Sequence, residues 1–212
     1  MDMLERKILQ LVRQVKKDDI MDLLEDPLLQ LVRQVKREAV TESMNSLISK
    51  VAPNGTLIIQ KIREALECES KTLDFSTTSL KRQDFVLLSH HPFFIEICER
   101  VTFANLDTAM SNSDIKALAQ SLQNTRVQEI DLSANKLTDD TAVELANNLQ
   151  GTNVNMVNLS NNNISASAAF KIANNLQGTN VNIVNLSNLS GSVLPETQRL
   201  IKEMHPHIKW IF

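Results

Sequence analysis

The residues of this chain best suited to metal or nucleophile chemistry are four histidines and two cysteines. The histidines come as two pairs, His90–His91 and His205–Pro206–His207. A tetrahedral metal site needs three or four ligands held in shape, and a proline next to each pair points to loops or helix ends. Cys68 and Cys98 have no histidine at a spacing that would activate a thiolate, so inert thiols are expected. With four glycines in all, a phosphate-cradling loop is not expected. Ser133, Ser160 and Ser187 recur only because a longer pattern recurs around them, so they are not candidate nucleophiles. No catalytic, metal or cofactor site is expected, and the chain reads as a non-enzyme.

The recurring pattern is the main signal. VQEIDLSANKL starts at Val127, VNMVNLSNNNI at Val154 and VNIVNLSNLSG at Val181, so the copies are evenly spaced. Segments 127–153 and 154–180 agree at thirteen positions, and both end in ANNLQGTN. A repeat of this length is one supersecondary unit that buries its apolar face only by stacking on its neighbours. Apolar residues occupy positions one, four, six and eleven: Val127, Ile130, Leu132 and Leu137, then Val154, Val157, Leu159 and Ile164. The alternation across positions four to six predicts a short strand. Helical spacing follows, in Ala142, Leu145, Ala146 and Leu149 and again in Ala169, Ile172, Ala173 and Leu176. Thr138 or Asp139 and Ser165 are the expected N-caps. Gly151 and Gly178, with Asn124 at the equivalent place, are the expected left-handed helix stops.

This pattern resembles the leucine-rich repeat, and most closely its ribonuclease-inhibitor-like subtype, in which each strand is followed by a full α-helix. The resemblance implies an α/β fold: a short solenoid, or horseshoe, with a parallel concave sheet of about five or six strands and helices on the convex side. Asn135 and Asn162 stand at position nine, where the family places a buried asparagine ladder. Thr78, Ala109 and Leu189 stand there in the other units, so the ladder is expected to be incomplete. The low-glycine, asparagine-rich repeats with an added helical cap are also similar to effectors that intracellular bacteria such as Legionella deliver into host cells.

Such a strand directs positions three, five and seven out of the concave face. Aligning further copies from Ser70, Val101 and Ile208 puts Thr72, Phe103, Glu129, Met156, Ile183 and Trp210 in the first row. The second holds Asp74, Asn105, Asp131, Asn158, Asn185 and Phe212, and the third Ser76, Asp107, Ser133, Ser160 and Ser187. Met156, Ile183 and Trp210 would then form an apolar patch extended by Phe212, with Asn158 and Asn185 as a hydrogen-bonding ledge. Phe103, Glu129 and Asp131 complete the expected contact set. The alternatives are that the last strand tucks Trp210 under its own helix, or that the patch is a homodimer contact at the sheet edge.

Residues 1–52 lack the repeat and read as a helical cap on a leucine-rich-repeat domain at 53–212. Asp26–Pro27 is a helix start, and ILQLVRQVK at 8–16 returns as LLQLVRQVK at 28–36. Basic amphipathic helices in 1–37 offer a second function class, a peripheral membrane protein. Amphipathic helices more often face a core, and Glu5, Asp18, Asp19 and Asp22 oppose an anionic surface. A net charge of −3 speaks against nucleic acid. The cysteine pattern and a charged N-terminus without a secretory h-region point to a cytoplasmic setting, in the producing cell or in a host. The leading expectation is a protein-interaction module with a protein partner.

Overall fold

The structure, a computed structural model, describes Glu42, Asn45 and residues 54–106, 110–191 and 193–212. The chain divides into two units between Ser43 and Met44, and all described residues but Glu42 fall in the second. The Asp26–Pro27 helix start, the duplicated basic segment, membrane docking through 1–37 and the placement of Asp107 and Ala109 lie outside the described residues.

The second unit is a leucine-rich-repeat-like α/β solenoid. Helix α1 (Gly55–Glu67) buries Ile58, Ile59, Ile62 and Ala65 along one face. Strand β1 (Thr72–Asp74), helices α2 (Arg82–Leu88) and α3 (Pro92–Glu96), and strand β2 (Arg100–Thr102) follow. Helix and strand then alternate: α4 (Asn112–Ser121), β3 (Glu129–Asp131), α5 (Asp139–Asn147), β4 (Met156–Asn158), α6 (Ala166–Asn175), β5 (Ile183–Asn185), α7 (Pro195–Met204) and β6 (Lys209–Ile211). The six strands form one parallel sheet in sequence order. On the other layer α2 packs on α4, α4 on α5, α5 on α6 and α6 on α7. A helix is ~10 Å wide while strands lie ~4.8 Å apart. The sheet is therefore the inner, concave layer of the stack.

Leu73, Val101, Ile130, Val157, Val184 and Trp210 stand in register across the sheet. The steps between them are unequal. Ile130 to Val157 and Val157 to Val184 keep the spacing of the clear copies, Val101 to Ile130 is a longer step, and Val184 to Trp210 is a shorter one. All six of these side chains point into the core, as do Phe75, Phe103, Leu132, Leu159 and Leu186 two positions on. The core runs unbroken from Ile58 to Trp210. Each fully buried aliphatic or aromatic side chain in it contributes roughly 1.5–3 kcal/mol.

Two polar ladders tie the repeats together. At position nine, Asn162 Oδ1 accepts from the amides of Asn135 and Leu137, both at 2.9 Å. Its Nδ2 donates to the carbonyls of Leu132 and Leu159, also at 2.9 Å. Asn135 repeats this one unit earlier, accepting from Leu106 N at 2.7 Å and donating to Phe103 O at 2.6 Å. Position nine of the second unit is thus Leu106, not Ala109, and Leu189 ends the ladder as expected.

The second ladder is built from the Thr-Asn end of the shared octapeptide and from Thr125 at the equivalent place one unit earlier. Thr125, Thr152 and Thr179 donate their hydroxyls to the carbonyls of Leu122, Leu149 and Leu176 at 2.7–2.8 Å. Asn153 and Asn180 then donate to the carbonyls of Thr125 and Thr152, one repeat back, at 2.6 Å.

Backbone conformation repeats with the same regularity. Gly151 and Gly178 have φ of 78° and Asn124 has 59° at the helix ends, as expected. Thr138 and Ser165 are the N-caps of α5 and α6, and Ser165 Oγ accepts from Ala168 N. A second left-handed position follows each of the first five strands, at Thr77, Asn105, Ala134, Asn161 and Asn188. In the first four of these the residue's own amide donates across to the neighbouring unit, as from Asn161 N to Ser187 O at 3.0 Å.

Candidate binding surface on the open sheet face

Each short strand has one inward side chain flanked by two outward ones. The first outward row is Thr72, Arg100, Glu129, Met156, Ile183 and Lys209, and the second is Asp74, Thr102, Asp131, Asn158, Asn185 and Ile211. On β3, β4 and β5 this is the expected arrangement: Glu129, Asp131, Met156, Asn158, Ile183 and Asn185 are all half-buried on the open face.

Phe103, Trp210 and Phe212 are corrections. Strand β2 lies earlier in the chain than the aligned pattern placed it, so Val101 rather than Ala104 lies opposite Ile130. Phe103 consequently points inward, fully buried, stacked on Phe75 with ring centroids 5.6 Å apart and edge-on to Phe85 at 5.5 Å. Arg100 and Thr102 take the open-face places. Asn105, expected in the second row, instead occupies the left-handed turn.

The last unit is one position shorter than its neighbours, which shifts β6 by one. Trp210 faces Val184 and is 7% exposed, and Phe212 packs against the core beyond the strand. The two rings stack 6.2 Å apart, with the Lys202 ammonium over Phe212. A one-residue slip sends every side chain of a strand to the other face. Here it brings Lys209 and Ile211 onto the displayed side, which a constant spacing carried on from Val181 had missed. The alternation of Trp210 and Phe212, the two largest side chains of the segment, was the available signal.

The second row also holds the backbone. Asp74, Asp131, Asn158 and Asn185 each accept from the amide two residues on, at 2.8, 2.8, 3.1 and 3.0 Å. These contacts close the turn after each strand. Asn158 Nδ2 donates sideways to Asp131 Oδ2 at 3.1 Å. Ser76 holds the Asp74 carboxyl below its ordinary range by hydrogen bonding. The ledge is therefore rigid, and its acceptor oxygens are already engaged.

Charge is compensated at one end of the face. Lys71 pairs with Glu99 at 2.6 Å, and Arg100 pairs with Glu129. Their hydrogen bond lowers the Glu129 carboxyl and raises the Arg100 guanidinium from their usual values. The patch formed by Met156, Ile183 and Ile211 lies beyond these pairs, toward β6.

The other residues weighed for chemistry lie elsewhere. His91 is the fully buried N-cap of α3: Nδ1 accepts from Phe93 N at 3.1 Å and Nε2 meets Asn45 Oδ1 at 3.1 Å. Burial lowers it to about 4. His205 ends α7, and it is lowered mainly by burial and further by His207. Cys98 fills a core position, and burial pushes its thiol up to about 12, while Cys68 is exposed. Among the described residues no three of His, Cys, Asp and Glu gather as metal ligands would. No helix among them is long and apolar enough to cross a membrane.

No protein-family model matches the chain, and no curated protein matches it at a significant level. Among solved structures it is similar to "Leiomodin-1 Actin-Binding Site 2 (ABS2)". The TM-score is 0.44 at 17% identity, covering 50% of this chain and 66%, just under two thirds, of that one.

Proposed function

We propose that this chain is a non-enzymatic protein-interaction module that binds a protein partner through the open, concave face of its sheet. One observation carries the reading. Met156 and Ile183 stand side by side in register on β4 and β5, with Ile211 diagonal to Ile183 on β6, on a face that folding does not require to be apolar. All three are half-buried, apolar surface gathered among polar groups is the kind that carries contacts, and methionine adapts to irregular partners. The rigid ledge of Asn158 and Asn185 beside the patch supports a preorganised surface, which lowers the ordering cost of binding. A cytoplasmic setting belongs to the same reading and is supported by Cys98, a free thiol serving as a core residue.

The test uses ligands selected from a displayed library of protein fragments and then purified. Met156→Asp with Ile183→Asp should weaken a selected ligand at least about tenfold, as for hot-spot residues. Phe170→Ser, on the helix side, should leave it unchanged. Ligands that bind the double variant as tightly as the wild type, with circular dichroism unchanged, would sink the idea.

A further inference from the structure

We propose that the partner element seated on this face is an amphipathic α-helix lying across the strands, its N-terminus over β3 and its C-terminus over β6. The proposal rests on the reading above and names the kind of ligand that face takes. Strands lie ~4.8 Å apart, and one helical turn advances ~5.4 Å, so apolar side chains one turn apart can meet successive strands. Met156, Ile183 and Ile211 supply the apolar counterpart on β4, β5 and β6.

The hydrogen-bonding state of the face favours a helix over an extended segment. A helix satisfies its own backbone in its interior, whereas an extended chain laid on a sheet face needs side-chain partners for its amides and carbonyls. The ledge has few acceptors to give. The oxygens of Asn158 and Asn185 are held by Ser160 N and Ser187 N, and those of Asp131 by Ser133 N and Asn158 Nδ2.

Charge sets the direction. Glu129 is neutralised by Arg100. Among the described residues Asp131 and Lys209 are in no ion pair, and they flank the apolar patch on β3 and β6. Three strand spacings separate them, ~14 Å, which matches about nine residues of helix. The positive N-terminal end of a helix dipole and a basic residue there suit Asp131. The negative end and an acidic residue suit Lys209.

The probes are two synthetic amphipathic peptides of about 18 residues, ~27 Å as helix. One carries lysine in its first turn and glutamate in its last; the other has the two exchanged. A third has the charges of the first and a central proline. Fluorescence anisotropy with the full chain at about 20 mM salt keeps screening weak. The first peptide should bind about tenfold tighter than its reverse, from two end interactions of ordinary strength. The variant Asp131→Lys with Lys209→Glu should invert the order, and Lys209→Gln, which removes one charge without reversing it, should reduce the preference by about half on a logarithmic scale. The proline peptide should lose binding.

Equal affinities of the two orientations, an order unchanged by the charge exchange, undiminished binding of the proline peptide, or no binding of any peptide at about 1 mM would overturn the helix. A fragment-library ligand that still depends on Met156 and Ile183 would leave the binding face itself standing.

Discussion

The first two repeats and the middle two solve the same packing problem with different chemistry. In the middle repeats Asn162 pins the turns after β3 and β4, Asn135 reaches back to the turn after β2, and the helix ends are held by Thr125, Thr152, Asn153 and Asn180. Around β1 and β2 position nine holds Thr78 and Leu106, and the space is filled by Phe103 in ring contact with both Phe75 and Phe85, with Phe93 and Phe94 also buried. Beyond the two bonds that Asn135 makes to Leu106 and Phe103, the polar links there do not recur from unit to unit. Asp84 accepts from the Asn54 amide, the Asn54 side chain and the Lys81 amide, and His91 joins Phe93 to Asn45. Polar ladders demand the same residue at the same place in each unit, whereas aromatic packing constrains only volume. That contrast accounts for a repeat that is vivid in one half and faint in the other.

The sharpest way to break the contrast is to empty the aromatic half. Phe103→Ala should cost about 4 kcal/mol by urea titration followed by circular dichroism, the range for a buried phenylalanine. A loss near ~1 kcal/mol, well below that range, would mean that the rings are not what holds these repeats.

His91 comes next. Its folded value is depressed to about 4 from 6.5, so its contribution is complete above pH 6.5. It declines as the unfolded chain takes up the proton, until the folded chain titrates near 4. At about 1.36 kcal/mol for each pH unit between the two values, this amounts to roughly 3 kcal/mol. His91→Asn should flatten the fall in urea midpoint between pH 7 and pH 5 relative to wild type. Parallel profiles would remove His91 from the account.

The polar half is tested by Asn162→Leu, which copies the chain's own residue at 189. It strips an acceptor from Asn135 N and Leu137 N and should cost about 2 kcal/mol. Parity with wild type would make the ladder ornamental. The smallest effect is a gain. Thr77 holds φ at 59°, where Asn stands in three equivalent units, so Thr77→Asn should add about 1 kcal/mol. A loss would show that the Thr78 hydroxyl bond to Phe75 O fixes a different turn.

The legibility of the sequence followed the same division. Strand register, helix caps and helix stops in 127–186 could be read because the adjacent units 127–153 and 154–180 agree at thirteen positions. The outer strands could not be reached by counting, since the step from Val101 to Ile130 is longer than the regular repeat and that from Val184 to Trp210 shorter. Val101, Phe103 and Leu106 fit two alignments when only periodicity is used, and burial of the largest ring decides between them. The same reasoning applies to Trp210 against Ile211. The role of ANNLQGTN was hidden for another reason: its threonines and asparagines bond to backbone, which has no sequence signature of its own. Helix α3 was missed because so short a segment carries no period, and only the cap His91 and Pro92 mark it.

The inward turn of Trp210 has a practical corollary. It is the chain's single tryptophan, and there is no tyrosine. Intrinsic emission excited at the indole band therefore reports on one place, the sixth strand and its stacked Phe212. In a solenoid whose coupling is between neighbours, that signal follows fraying of the final unit, while far-ultraviolet ellipticity follows the whole stack. A gap between the two transitions would measure directly how independently the last repeat opens.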